Sequence, residues 1–337
     1  MFQFERVINV IDAHTAGEPI RIVTSGIPKI EGKTILEKKE FFAKNLDHLR
    51  SFLTKEPRGH KDMFGAILTT PESEDGDIGV LFFHNEGMST MCGHGTIGIT
   101  KVAAETGIIT VHEGENIIKI DAPAGRVTAK AFVENKRVKS VAFTNVPSFL
   151  FKKEVSIHLD GFGEIKAAIS YAGAFYIMVE QEKIGVTVCP EQCALIVERA
   201  MALKNWLNAN MEIAHPEHPE INGIYGVIVM APVEKTAYGC KSRQACVFAD
   251  GAVDRSPCGT GTSARMALLY ANGALKVGEQ FRAASIINTE FTGTVLKEVQ
   301  AAGMTAIIPQ IAGPAWITGF TQFVLDSEDP LPEGFLL

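Results

Sequence analysis

Apolar residues along this chain fall mostly into short runs separated by Gly, Pro and Asp, the pattern of strands joined by turns. Residues 7–11, 21–25, 63–69, 78–83 and 117–121 are the clearest of these runs. Helical periodicity is confined to a few longer stretches, 35–53, 97–106, 191–207 and 263–272. Because the strands cluster instead of alternating with helices, the pattern predicts an α+β fold with largely antiparallel sheets. The segment Asp121-Ala122-Pro123-Ala124-Gly125 breaks the pattern after a strand and suggests a domain boundary. The expected division is 1–124, with about 310–337 packing beside it, and 125–309. In the second part the plan repeats: strands over 126–146, a helix over 191–207, then a glycine-rich turn.

That turn is the second of a pair. Met91-Cys92-Gly93-His94-Gly95-Thr96 and Pro257-Cys258-Gly259-Thr260-Gly261-Thr262 share a Cys-Gly-x-Gly-Thr core. Each leads into a predicted helix that stops at a glycine, Gly107 or Gly273, 15 residues after its cysteine. N–H groups at a helix start are unpaired donors at the positive end of the macrodipole, so they suit an anion such as a carboxylate. The same field favours a thiolate over a thiol. If the halves face each other, one anionic substrate lies between two cysteines, the arrangement a two-base racemase needs. The plainer reading, small buried cysteines at tight turns, does not account for the matched spacing.

Composition narrows the classes. The chain has 337 residues, 46% hydrophobic and 21% charged, enough for two domains with real cores. A net charge of −7 without a basic patch argues against nucleic acid as a partner. No apolar run approaches a membrane span, and residues 1–6 carry no export signal, so the expectation is a cytoplasmic protein acting on a small molecule. Six cysteines in that setting read as reduced thiols. Cys189, Cys193, Cys240 and Cys246, with His215 and His218 nearby, have spacings unlike a zinc knuckle, and core packing explains them more simply. Gly93-x-Gly95-x-x-Gly98 is a lone glycine pattern opening on a cysteine, not a dinucleotide fingerprint, and a P-loop motif is absent. His14, in a Thr/Gly-rich turn, suits a structural bond as well as a substrate contact. His60 and Asp62, following Arg58, read as structural.

The chain resembles the proline racemase superfamily, which joins proline racemases, hydroxyproline 2-epimerases and trans-3-hydroxy-L-proline dehydratases. The resemblance rests on Met91-Cys92-Gly93-His94 and on Asp254-Arg255-Ser256-Pro257-Cys258-Gly259-Thr260-Gly261-Thr262. It extends through Asp12-Ala13-His14-Thr15-Ala16-Gly17-Glu18-Pro19, Glu56-Pro57-Arg58-Gly59-His60-Lys61-Asp62-Met63, Ala122-Pro123-Ala124-Gly125 and Ile317-Thr318-Gly319-Phe320. It implies two pseudo-symmetric α/β domains of the diaminopimelate-epimerase kind, each a β-barrel-like sheet around a central helix, with the active site in the interdomain cleft. It also implies catalysis without pyridoxal phosphate, metal or other cofactor, and a homodimer as the assembly. By position, Cys92 and Cys258 are the implied acid–base pair. The backbone N–H groups of Gly93, His94, Gly259 and Thr260 are the implied carboxylate donors, and Asp254 the implied partner of the substrate amine.

Within the superfamily the signature is mixed. Cys258 points to racemisation or epimerisation of proline or hydroxyproline, since the dehydratases usually carry Thr there. His84-Asn85-Glu86-Gly87, Ile224-Tyr225-Gly226-Val227 and Val247-Phe248-Ala249-Asp250 look more like the dehydratases. A second thiol is what delivers a proton to the opposite face, so it carries more weight than the flanks. Dehydration of trans-3-hydroxy-L-proline, alone or beside inversion, is the alternative. More distant alternatives are a non-catalytic imino-acid binding protein and a redox dithiol.

Overall fold

The computed structural model describes residues 4–159, 161–219 and 221–337; Met1, Phe2 and Gln3 of the N-terminal segment lie outside the described residues. The chain divides into two compact units, Met1–Phe143 with Pro314–Leu337, and Thr144–Gly313.

In chain order the first unit contributes β1 (Arg6–Thr15), β2 (Glu18–Ser25), α1 (Ile35–Asn45), α2 (Asp47–Thr54), β3 (Phe64–Thr69), β4 (Ile78–His84), β5 (Gly87–Ser89), α3 (Gly93–Glu105), β6 (Gly114–Ala122), β7 (Gly125–Glu134) and β8 (Arg137–Thr144). The second contributes β9 (Ser148–Leu159), β10 (Gly163–Tyr171), β11 (Phe175–Glu180), α4 (Cys193–Asn210), β12 (Ile224–Met230), β13 (Glu234–Thr236), β14 (Gly239–Phe248), β15 (Ala252–Asp254), α5 (Gly259–Ala271), β16 (Gln280–Ala284), β17 (Glu290–Ala301) and β18 (Met304–Gly313). The last strand, β19 (Ala315–Leu325), returns to the first unit.

The first unit is a mixed sheet in the order β19-β1-β2-β3-β4-β6-β7-β8, with β2–β3 and β4–β6 parallel and the other neighbours antiparallel. Helix α3 is buried at every position from Gly93 to Ala104. It packs against β19, β1, β2, β3 and β7, so the sheet curls around it from both ends. Strand β4 reads as a continuous apolar run because both its faces are covered. Phe82 lies under α3 at Gly95, while Leu81 and Phe83 pack with Phe42 of α1 and Leu49, Phe52 and Leu53 of α2. Each such fully buried side chain contributes roughly 1.5–3 kcal/mol.

The second unit repeats this plan: β9-β10-β11-β12-β14-β16-β17-β18, with β11–β12 and β14–β16 parallel and the rest antiparallel. Ala306 and Ile307 of β18 pair back onto Phe149 and Ser148 of β9, closing the sheet into a barrel. Helix α5 packs against β9, β10, β11, β17 and β18. Alternate residues of the central strands serve two layers. Val227, Val229, Ala245 and Val247 face the stripe Ile196, Ala200, Leu203 and Leu207 of α4, whereas Tyr176, Met178, Ile228 and Cys246 pack with Cys258, Ala264 and Leu268 on the α5 side.

Three expectations change in detail. Ala122 and Gly125 pair across a hairpin turn, and β7 follows β6 along its whole length, so the first unit continues to Phe143 and no linker lies at 121–125. The helix expected over 35–53 is two helices. Leu46 leaves helical geometry at φ −129° and Asp47 restarts the spiral, clamping Arg50 one turn on at 2.7 Å. The helices expected from 97 and 263 begin four residues earlier, at Gly93 and Gly259. They end at Glu105 and Ala271, and Gly107 and Gly273, two residues on, have a positive φ of 76° and 72°, the left-handed turn that closes a helix.

Candidate active site

Cys92 is the N-cap of α3 and Cys258 the N-cap of α5. In each case the sulfur takes the place usually held by a Ser or Asp oxygen. Cys92 Sγ accepts from the Gly95 N–H at 3.2 Å, and Cys258 Sγ accepts from the Gly261 N–H at 3.3 Å. Thr96 N and Thr262 N donate to the cysteine carbonyls, both at 2.9 Å, so the two helices share the same first bond. Both glycines are needed for space. A Cβ on Gly95 would stand 2.8 Å from the Phe82 ring and 3.0 Å from Cys92 Sγ, and one on Gly261 would stand 2.5 Å from Ile228 Cδ1 and 3.0 Å from Cys258 Sγ.

The surroundings of the two sulfurs differ. In the first unit the His94 imidazole closes on the thiol, with Nδ1 3.2 Å from Cys92 Sγ. Its ring stands edge-on to Phe64 at 4.8 Å, and its carbonyl accepts from Thr15 Oγ1 at 2.8 Å. The side chain of His94 therefore lies against the Cys92 sulfur, whereas the sequence singled out only its backbone N–H.

In the second unit Thr260 stands where the first has His94. Its hydroxyl bonds the Tyr176 hydroxyl at 2.6 Å and lies 3.8 Å from Cys258 Sγ. Tyr176 is wholly buried, and that burial, with Cys258 close by, holds its phenol well above the usual value, so it stays protonated. Asp254 ends β15, where it is 4% exposed and accepts from Ser256 N at 2.8 Å. Burial raises its carboxyl to about 6. Ser256 Oγ in turn accepts from Cys258 N at 3.1 Å, so Asp254, Ser256 and Cys258 form one continuous bonded turn. Tyr176 and Gln244, which reaches the carbonyl of Pro257 at 2.6 Å, were not singled out from sequence. Tyr176 lies 84 residues before Thr260 and Gln244 lies 13 before Pro257, and nothing in the motif itself marks either position.

The other polar residues considered from sequence have local partners of their own. His14 lies in β1, stacks on Trp316 at 5.0 Å and accepts from Gly17 N at 3.1 Å; burial lowers its pKa. Arg58 pairs with Asp329 at 3.0 Å, and His60 is exposed with Nδ1 against the Lys61 carbonyl. Cys189 and Cys193 flank a short helical turn, while Cys240 and Cys246 are buried in β14. Among the described residues no three His, Cys, Asp or Glu side chains gather as a metal site. None of the described helices is long and apolar enough to cross a membrane.

The chain is similar to known proteins along nearly its whole length. The family profile described as proline racemase matches residues 10–336. The chain is 43% identical over 335 residues to a proline racemase of Clostridioides difficile, covering 99% of each protein. It is 46% identical over 333 residues to a trans-3-hydroxy-L-proline dehydratase of Bacillus cereus, covering 98% of each. A hydroxyproline epimerase structure from Agrobacterium vitis, with bound trans-4-hydroxy-L-proline, superposes with a TM-score of 0.89 at 32% identity, covering 100% of this chain and 97% of that one. With its two-part α+β architecture and matches along nearly its full length, the chain belongs to the proline racemase family.

Proposed function

We propose that this protein is a cofactor-independent racemase or epimerase that inverts Cα of proline or a hydroxyproline, with Cys92 and Cys258 as its acid–base pair. One observation carries the reading: two cysteines, one per unit, cap helices in the same way, each sulfur accepting the N–H three residues on. Inversion requires a base on one face of Cα and an acid on the other, and two such thiols supply both. One cysteine, as thiolate, takes the Cα proton while the other, as thiol, delivers one; the reverse reaction exchanges their states.

An amino acid Cα–H is too weakly acidic to yield to a thiolate unaided, so the charge developing toward the carboxylate must meet fixed dipoles. The backbone N–H groups of Gly93 and His94 at the start of α3, and of Gly259 and Thr260 at the start of α5, are the proposed donors. Asp254 is the proposed partner of the substrate ammonium. Its buried carboxylate is costly alone and gains most when a cation arrives. A reducing, cytoplasmic setting, in which thiols persist, fits a mechanism that needs both cysteines as thiols.

A second reading keeps one base and changes the fate of the carbanion. Cys92, as thiolate with the His94 imidazole against it, removes the Cα proton while the 3-hydroxyl leaves, taking up a proton to depart as water, and the resulting 2,3-enamine tautomerises to the cyclic imino acid. The similarity to the Bacillus cereus dehydratase favours it. Supplying L-proline, trans-4-hydroxy-L-proline and trans-3-hydroxy-L-proline separately, and following products by NMR together with optical rotation, decides between the two. The proposal expects the D-enantiomer or 2-epimer from one of the first two. A product that forms only from the 3-hydroxy compound, with loss of its Cβ–OH signal, establishes the dehydratase instead.

A further inference from the structure

We propose that Gln244 and Arg265 are positioning residues for Cys258, fixing the peptide plane from which its thiol is presented. The inference rests on the reading of Cys258 as one of the acid–base pair. Its starting point is a difference between the two cysteines. Cys92 has a relaxed extended backbone at φ −146°, ψ 118°, whereas Cys258 has φ 64°, ψ 118°. A residue with a side chain pays for such a conformation with about 1–3 kcal/mol, and keeps it only where its surroundings over-determine it.

The surroundings do so at both ends of the Pro257–Cys258 peptide. The Pro257 carbonyl accepts from Gln244 Nε2 at 2.6 Å and from Thr262 Oγ1 at 3.1 Å, while Cys258 N donates to Ser256 Oγ at 3.1 Å. Gln244 is fully buried in β14, and the orientation of its amide is dictated from behind. Its Oε1 accepts from Arg265 Nη1 at 3.1 Å. Since a guanidinium only donates, the amide oxygen must face it and the NH2 must face Pro257.

Arg265, on the second turn of α5, is 1% exposed and is lowered to about 9 by burial, so it remains a cation at neutral pH. It is held by the Arg243 carbonyl at 3.0 Å, the Ala231 carbonyl at 2.9 Å and Ser242 Oγ at 2.6 Å. Among the described residues no carboxylate pairs with it. A buried cation without a counter-ion is expensive, and here it orients the one amide that grips the peptide before Cys258. The first unit has no counterpart: seven residues after Cys92 stands the buried Ile99.

Gln244→Glu tests the pairing, because it keeps an acceptor for Arg265 at the same size and removes the donor to Pro257. Alkylation of each cysteine by iodoacetamide, followed by peptide mass spectrometry, is the primary readout and needs no turnover. Cys258 is expected to react about tenfold more slowly than in the parent while Cys92 is unchanged, since a thiol displaced by a fraction of an ångström leaves the Gly261 N–H and the helix start. The kcat for inversion should fall by a similar factor with KM little changed. Gln244→Met, neutral and of similar length, reads the same two rates if the glutamate variant does not fold. Unchanged reactivity at Cys258, equal slowing of both cysteines, or failure of both variants to fold overturns the proposal. If the parent turns over none of the imino acids, the kcat comparison falls with the functional reading, while the differential alkylation still tests the positioning role.

Discussion

Serine at position 92 or at position 258 is expected to abolish inversion of both enantiomers, lowering kcat by at least about 10³-fold, because a serine hydroxyl neither ionises near neutral pH nor replaces a thiol as a matched acid. The loss is symmetric because each direction uses both groups, one as base and one as acid. The fold should survive. Serine is among the preferred N-caps, so its oxygen can accept the Gly95 or Gly261 N–H that the sulfur accepts now. Far-UV circular dichroism and binding of a planar pyrrole carboxylate check that survival, and polarimetry reads the activity. The two variants also separate the two chemistries. Cys258→Ser loses inversion in either case, but a dehydratase that needs only Cys92 as base keeps much of its elimination rate. A Cys92→Ser or Cys258→Ser variant with near-parent inversion removes that cysteine from the mechanism.

Asp254→Asn is expected to cost about 10²-fold in kcat/KM while making the protein more stable at neutral pH. The carboxyl of Asp254 is raised by burial from 3.8 to about 6. Between those values the folded protein holds a proton that the unfolded chain has lost, so stability falls as pH rises from about 4 to 6, and above 6 the full cost of a buried carboxylate is present. The shift corresponds to a cost on the order of 2–3 kcal/mol. Asparagine removes the charge and keeps an oxygen for the Ser256 N–H, now 2.8 Å away. Its melting temperature should exceed the parent's at pH 7 and converge with it below pH 4. Activity moves in the opposite sense, because the ammonium of the substrate needs the ionised carboxylate. Parent kcat/KM should therefore climb as pH rises through about 6, and that limb should vanish in Asp254→Asn. A stability difference independent of pH, or a variant with parent kcat/KM, contradicts the role assigned to this carboxylate.

The local part of the candidate site was legible in the sequence because it is written twice in contiguous residues. Cys-Gly-x-Gly-Thr carries its own helix start, its own capping atom and the two glycines that let a strand side chain approach, Phe82 beneath Gly95 and Ile228 beneath Gly261. The strands were legible for the same reason, through alternation or continuous apolar runs. What could not be read was whatever depends on how strands outside the motif pack against it. Tyr176 and Gln244 meet the second motif only because β11 and β14 lie beside α5 in a closed barrel, and neither residue has a spacing that announces it. Arg265 reads as an ordinary surface cation of an amphipathic helix until the helix proves to be central. The boundary at 121–125 was misplaced by the same locality. Pro123 and Gly125 signal a turn, and nothing local distinguishes a hairpin from a linker; the pairing of β6 with β7 does.

The most direct test of the two-thiol account starts in D2O from a single protonated enantiomer of the substrate identified in the three-compound panel, stops the reaction early, separates the two stereoisomers by chiral chromatography and reads the Cα proton of each by NMR. With one cysteine removing the Cα proton and a different, solvent-equilibrated cysteine delivering one, the inverted product should carry deuterium from the first turnovers while the remaining substrate keeps its proton. Product that retains the original proton, or substrate that exchanges as fast as product forms, would mean that one group serves both faces and would contradict the pairing of Cys92 with Cys258.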